Sequence, residues 1–190
     1  FVKWGMKNYP AKKTMLVLQD HGYGWRGICQ DETNGDVLMP MDGVGSALRA
    51  VKADSRKGVD LLAFDACNML SLEGAYELRG AVPYIVGSET MVPFDGLPYE
   101  MMITKLIKNP AMSAKDLASE IVYDYVEYYS EKWAYDHIMT YSQDFATMAA
   151  VDTSKLDALG AAFMNLADVL KPLIGDHMME VDDARGYALV

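Results

Sequence analysis

Two residue types that can carry out nucleophilic catalysis occur where predicted strands end. Cys67 follows the apolar run 59–64, and His21 follows a second apolar run at 15–18. A thiol is a strong nucleophile once it has lost its proton, and an imidazole can deliver a proton to a leaving group. The pair predicts acyl transfer by a thiol, provided that the fold brings together two residues 46 positions apart.

The residues around this pair favour the same chemistry. Backbone N–H groups at a strand-to-helix junction, and the positive end of the helix dipole, would stabilise a thiolate at Cys67. We expect the N–H groups of Gly22 and Cys67 to bind a developing oxyanion, an interaction worth about 3 kcal/mol per donor in other enzymes. Gly22 and Gly24 leave the backbone beside His21 open to a substrate carbonyl, although glycines also form ordinary tight turns.

The elements that must position these residues alternate along the chain. Three apolar segments are predicted strands and the segments between them are predicted helices: strands at 15–19, 59–64 and 83–88, and helices at 42–57 and 68–79. This alternation indicates an α/β fold with a mostly parallel β-sheet flanked by helices. Because parallel strands joined by right-handed crossovers end at one edge, His21, Cys67 and the loop 88–98 are predicted to meet there.

The remaining segments are predicted to form a loop, several helices and one more strand, and the part beyond about residue 145 is predicted to be more helical than the core. Polar residues around Asn34-Gly35 predict a loop with a small hairpin at 26–42. Further elements are predicted after the third strand: helices at 99–108, 113–132 and 153–170, and a strand at 137–142. We therefore divide the chain into a core at 1–145 and a helical C-terminal segment, of the same domain or a subdomain, at 146–190.

Composition restricts the partners. The 190 residues carry a formal net charge of −10. Nucleic acid and anionic membranes would be repelled by this charge, whereas a cationic substrate would be attracted. No apolar run approaches the roughly 18 residues that span a bilayer.

Other interpretations of the cysteines and histidines stay open. Cys67 alone is also consistent with a small buried apolar residue, or with a Cys29–Cys67 disulfide in an oxidising compartment. Metal binding is disfavoured, because the sequence has no C-x₂-C or H-x₃-H spacing. We expect His137 to lie in a strand and His177 at the surface.

Three segments of the sequence resemble the clostripain family of cysteine peptidases. Residues 16–25, LVLQDHGYGW, resemble its strand and D-H-G-x-G-W segment, and residues 64–69, FDACNM, resemble its F-D-A-C-x-M segment. Residues 86–90, VGSET, together with residues 93–99, PFDGLPY, resemble its third block, in which S-x-E and P-x-x-G-x-x-Y elements follow a strand. The blocks follow the family's order and span about residues 10–100.

This resemblance implies a caspase-like fold, shared with caspases, legumains and gingipains, and a dyad of Cys67 and His21. It also implies cleavage after Arg or Lys in protein or peptide substrates. Asp65 matches an acidic position of the primary specificity pocket, and Ser88 and Asp95 lie in the segment expected to line that pocket. Asp65 could instead cap a following helix, and Asp95 could belong to an ordinary turn.

The resemblance also carries expectations about the whole protein. Family members have a first core strand upstream of the region matched here, so we expect another segment of the same precursor to be a partner. Self-processing after a basic residue is a family property, and Arg26 is the only basic residue from Trp25 to Met41. A secreted or bacterial cell-envelope location is expected. Family members can depend on calcium, but no D-x-D-x-D-G pattern occurs, and no cofactor is predicted.

Two other functions compete with a peptidase specific for basic residues. A non-catalytic caspase-like domain could bind a partner through its acidic surface, although such a domain needs neither Cys67 nor His21. A thiol hydrolase with a different leaving group or specificity would need both.

Overall fold

The structure is a computed structural model that describes residues 1–129 and 147–187. The strands, in chain order, are β1 (Met15–Gln19), β2 (Ile28–Asp31), β3 (Val37–Met39), β4 (Leu61–Asp65), β5 (Tyr84–Gly87) and β6 (Ala149–Asp152). The helices are α1 (Val2–Asn8), α2 (Met41–Ser55), α3 (Leu72–Glu77), α4 (Tyr99–Lys108), α5 (Ala114–Tyr128), α6 (Leu156–Leu170) and α7 (Met178–Tyr187).

Four of the strands form one sheet in the order β1-β4-β5-β6. β4 pairs in parallel with both β1 and β5, and β6 pairs with β5 in antiparallel fashion. The mostly parallel α/β sheet predicted from the sequence is therefore confirmed. β2 and β3 form a separate antiparallel hairpin, which confirms the small hairpin predicted within 26–42.

One face of the sheet packs against α5 and the segment leading into α4. Leu61 and Ala63 of β4 share a buried cluster with Val86 of β5. The helical members of this cluster include Met102, Leu117, Ala118, Ile121 and Tyr125. Since successive side chains of a strand alternate between faces, Asp65 lies on the same side of the sheet as Leu61 and Ala63.

Most predicted elements agree with the structure, but one predicted helix is too long and one observed strand was not predicted. β1 and α4 have the predicted bounds, and β4, β5 and α2 differ from prediction by a few residues. α3 is much shorter than the predicted helix at 68–79, and β6 was not predicted. The predicted strand at 137–142 lies outside the described residues.

The chain divides into two compact units, Phe1–Ser154 and Lys155–Val190. The first contains the sheet, and the second contains α6 and α7. The division at residue 145 stays a prediction, although β6, which follows that position, belongs to the main sheet. Within the described residues, none of the helices is both long and apolar enough to span a membrane.

Candidate active site

β1 and β4 place His21 and Cys67 at the same level of the sheet edge. Gln19, the last residue of β1, pairs with Asp65, the last residue of β4. His21 and Cys67 each lie two residues beyond these partners. The register therefore confirms that the two residues meet at the carboxyl edge, whereas their catalytic roles stay predictions.

Gly22 lets the two backbones approach closely. A Cβ atom at this position would lie 2.2 Å from the carbonyl oxygen of Cys67 and 2.8 Å from the Met69 side chain. Both distances are shorter than non-bonded atoms tolerate. Gly22 is buried while the neighbouring His21 is exposed. A side chain at residue 22 would therefore push the histidine segment away from the cysteine.

The N–H group of Gly22 points away from the hairpin. Its neighbours make the hydrogen bonds between this segment and the hairpin, from Cys29 N–H to the His21 carbonyl oxygen at 3.2 Å and from Tyr23 N–H to the Gly27 carbonyl oxygen at 3.0 Å. In this kind of antiparallel pair, the central residue directs its own N–H to the opposite side. Among the described residues, no group accepts from the N–H of Gly22 or Cys67, and oxyanion binding by these two groups stays a prediction.

Cys67 lies in a turn, so the prediction that a helix begins at the thiol is wrong. α3 begins only at Leu72, where the Ser71 side chain accepts a hydrogen bond from a helix N–H at 3.2 Å. Asn68 has a φ of +60°. This left-handed conformation interrupts a helix, and asparagine tolerates it better than most residues do. The helix dipole therefore does not act on the Cys67 sulfur.

A loop after β5 instead supplies the backbone partner of Cys67 Sγ. The Val92 N–H donates to Cys67 Sγ at 3.3 Å, and the Val92 carbonyl oxygen lies 3.9 Å from the same sulfur. The neighbouring Asn68 N–H donates to the Thr90 carbonyl oxygen at 2.7 Å. The loop therefore brings a backbone donor to the sulfur at a point where the sequence predicted a helix.

Ser88, a predicted substrate contact, is fully buried beneath this loop. Its Oγ donates to the Thr90 carbonyl oxygen at 3.0 Å and accepts from the Thr90 N–H at 3.1 Å. Ser88 Oγ also lies 3.0 Å from Thr147 Oγ1. Contact with a substrate stays a prediction, and the observed task of the hydroxyl is to hold the loop. Sequence reasoning missed Thr147, because nothing in its local sequence links it to residues 88–90.

Asp65 anchors the same loop at its other end. Its Oδ1 accepts from the Leu97 N–H at 3.1 Å, and its Oδ2 accepts from the Tyr99 hydroxyl at 2.8 Å. A Cβ at Gly96 would lie 2.6 and 2.7 Å from the two carboxylate oxygens, so Gly96 faces the fork between them. Burial raises the pKa of Asp65 and outweighs the lowering effect of the two hydrogen bonds. The proposed role as a cap is wrong, because Ser71 caps α3.

Asp95 is exposed in a turn of this loop. The Gly96 N–H donates to the Pro93 carbonyl oxygen at 2.9 Å, and Gly96 has a φ of +68°, so the turn interpretation is confirmed. Burial raises the pKa of Tyr128, and the charge on Asp95 raises it further. Asp95 therefore lies near the end of α5, while its part in substrate recognition stays a prediction.

Cys29 and Cys67 are both free thiols, so no disulfide links them. Burial raises the pKa of the Cys29 thiol, and the charge on Asp20 adds to the effect. A thiol with a raised pKa is less often a thiolate at neutral pH, which disfavours Cys29 as a nucleophile.

The clostripain family model matches residues 1–185, nearly the whole chain. The chain belongs to the clostripain family. Clostripain from Hathewaya histolytica is 29% identical over 120 residues, in a match that covers 56% of this chain and 23% of that protein.

Solved structures of the clostripain family share the fold. A secreted C11 cysteine protease from Bacteroides thetaiotaomicron, in complex with an irreversible peptide inhibitor, is 30% identical with a TM-score of 0.62. That match covers 83% of this chain and 44% of the protease. An inactive zymogen C11 protease from Parabacteroides distasonis is 26% identical with a TM-score of 0.60, covering 84% of this chain and 40% of the zymogen. The predicted caspase-like α/β fold is confirmed, and the chain spans less than half the length of these relatives.

Calcium dependence, which the resemblance to the clostripain family made possible, would need a group of ligands for the ion. Among the described residues, no group of three or more His, Cys, Asp or Glu side chains could hold a metal ion. A calcium requirement therefore stays an untested expectation.

Proposed function

We propose that this chain is the catalytic core of a cysteine endopeptidase in which Cys67 is the nucleophile and His21 the general acid and base. The observation that carries the proposal is the β1–β4 register, together with the close contact between Gly22 and the Cys67 carbonyl. These observations support a site that combines a thiol, an exposed imidazole and two N–H donors at one sheet edge.

The residues support a two-step acyl transfer. The Cys67 thiolate forms a bond to the scissile carbonyl carbon, and the carbonyl oxygen takes up the electron pair beside the N–H groups of Gly22 and Cys67. The His21 imidazolium gives its proton to the leaving amine as the C–N bond breaks, which leaves a thioester. His21 then takes a proton from water, whose oxygen attacks the thioester, and the thiolate and imidazolium are regenerated as the acid leaves.

Cleavage after Arg or Lys is the specificity that the acidic groups support. A cation that enters an enclosed pocket loses its hydration and needs a carboxylate to compensate. Asp65 is only 7% exposed and lies two residues before the nucleophile, and Asp95 lies on the loop that Asp65 anchors. Gly96 lies against the space between the two carboxylate oxygens of Asp65. A cation would therefore contact the lone pairs of those oxygens that point elsewhere, with Asp95 as a second, exposed partner.

Two further properties follow from the relatives. One related protease is described as secreted and another as an inactive zymogen. We extend secretion and activation by processing to this protein, with protein or peptide substrates.

Irreversible peptidyl acyloxymethyl ketones that differ only in Arg, Lys or Gln before the reactive group test the proposal. The Arg and Lys probes should alkylate Cys67 about 10²-fold faster than the Gln probe, the scale of losing a buried charge partner. Peptide mapping identifies the labelled cysteine. Cys29→Ser should behave like the wild type, since its thiol is not the nucleophile.

Substitutions of the dyad complete the test. Cys67→Ala and His21→Ala should each abolish amidolysis without loss of fold, and the double variant should be no worse, because groups that act as a unit show non-additive losses. Equal labelling by all three probes would indicate a thiol hydrolase of other specificity. A folded protein that none of them labels would indicate a binding domain.

A further inference from the structure

Three hydroxyl side chains form a compact cluster beneath the loop that follows β5. Thr147 Oγ1 lies 3.0 Å from Ser88 Oγ and 3.2 Å from Thr90 Oγ1. Thr147 Oγ1 also accepts a hydrogen bond from the Glu89 N–H at 3.2 Å. One side chain therefore contacts three consecutive residues of a segment that is 57 to 59 positions away in the sequence.

The sheet itself fixes Thr147 in this position. Gly87, the last residue of β5, pairs with Ala149, the first residue of β6. Continuing this antiparallel register by two residues places Glu89 opposite Thr147, which agrees with the observed hydrogen bond from the Glu89 N–H. Thr147 is thus held by the end of a strand rather than by the loop it contacts.

Residues 88–90, which contact Thr147, also make backbone hydrogen bonds to the turn that follows Cys67. The Thr90 carbonyl oxygen accepts from the Asn68 N–H at 2.7 Å, and the Ser88 carbonyl oxygen accepts from the Leu70 N–H at 3.0 Å. Two residues further on, the Val92 N–H donates to Cys67 Sγ at 3.3 Å. A shift of this segment would therefore move the donor away from the sulfur.

We propose that Thr147 is a positioning residue for the nucleophile, whose hydroxyl holds residues 88–90 so that the Val92 N–H stays directed at Cys67 Sγ. The proposal rests on the proposed function in that Cys67 is taken as the nucleophile. In this proposal Thr147 acts through residues 88–90 and not on the substrate. Its loss should slow the reactions of the thiol and change substrate binding little.

The test compares Thr147→Val, which keeps the shape but removes the hydroxyl, with Thr147→Ser, which keeps the hydroxyl. Both are made in a Cys29→Ser background, so that iodoacetamide reports only on Cys67. We expect Thr147→Val to lower the alkylation rate and kcat about tenfold, which corresponds to about 1.4 kcal/mol, with KM changed less than threefold. Thr147→Ser should retain most of both rates.

Thermal unfolding accompanies each measurement. A Thr147→Val protein that alkylates and turns over at the parent rate would overturn the proposal, as would a Thr147→Ser protein as slow as Thr147→Val. If Thr147→Val does not fold, Ser88→Ala removes a second hydroxyl of the same cluster and should slow alkylation in the same direction. A parent protein that alkylates normally but cleaves no peptide would count against the proposed function alone, because the alkylation comparison needs no substrate.

Discussion

Gly22 shows how a residue without a side chain can determine reactivity. The nearest atom to a Cβ at this position is the carbonyl oxygen of the residue that carries the thiol, and a backbone atom cannot rotate out of the way. We expect Gly22→Ala to lower kcat by about 10²-fold, because displacing the histidine segment by even 1 Å disturbs the reacting geometry.

A matched glycine makes this prediction specific. Gly5 in α1 has open space where its Cβ would lie, so Gly5→Ala should leave kcat unchanged. Initial rates on one amide substrate, with the melting temperature of each variant, provide the comparison. If Gly22→Ala and Gly5→Ala retain the same kcat, the close approach of the two backbones is not needed for activity.

Asp65 gives a prediction about stability that is separate from activity. Burial raises its pKa above the ordinary value of 3.8, so the folded state binds this proton more tightly than the unfolded chain does. The free energy of unfolding should therefore fall as pH rises from about 4 through the raised pKa, and the contribution is complete only below that range. Asp65→Asn has no proton to lose there.

Chemical unfolding at several pH values tests whether the free energy of unfolding falls as the pH rises. Relative to Asp65→Asn, the wild type should lose stability as the pH rises above about 4, while only the wild type retains fast cleavage after Arg or Lys. Such a pair of results would mean that the buried charge is kept for recognition at a cost in stability. A wild type that gains stability over the same range, relative to Asp65→Asn, would contradict the raised pKa.

The strands that precede His21 and Cys67 could be predicted from sequence because their signals are local. β1 ends at Gln19 and β4 at Asp65, each directly after its apolar run, and parallel pairing then determines that the following residues share an edge. β6 could not be found in this way, because Ala-Ala-Val-Asp is short and weakly apolar, and its pairing with β5 is a long-range contact. The Thr147 contacts depend on that pairing and were missed with it.

The turn at Cys67 was predicted to be the start of a helix, and the physical reason for the difference can be tested. The spacing of apolar side chains in residues 68–79 is typical of a helix. However, Asn68 adopts a φ of +60°, and the helix begins only after Ser71, which caps it. A β-branched residue in this conformation costs about 1–2 kcal/mol, whereas glycine adopts it freely. We expect Asn68→Gly to retain kcat within about threefold and Asn68→Val to lose roughly tenfold, with a lower melting temperature. Similar kinetics for both variants would show that the turn does not depend on this conformation.

At the scale of the whole molecule, the acidic surface is the property that sequence alone describes best. The chain has 27 acidic and 17 basic residues, a difference of −10. Such a charge attracts cationic peptides over distances of about a Debye length, roughly 10 Å at 0.1 M salt, and exposed charges contribute most to it. This attraction is distinct from the buried contact that Asp65 would make with the cleaved residue.

The two contributions can be separated by ionic strength. We compare two peptides with the same Arg or Lys at the cleavage site, one flanked by further basic residues and one flanked by acidic residues that bring its net charge to zero. From 0.02 to 0.5 M salt, kcat/KM for the basic peptide should fall several-fold, because screening removes long-range attraction. The neutral peptide should change little, since a buried ion pair is screened much less than exposed charges. Equal salt dependence for both peptides would show that the net charge does not guide substrates, and specificity would then rest on the pocket alone.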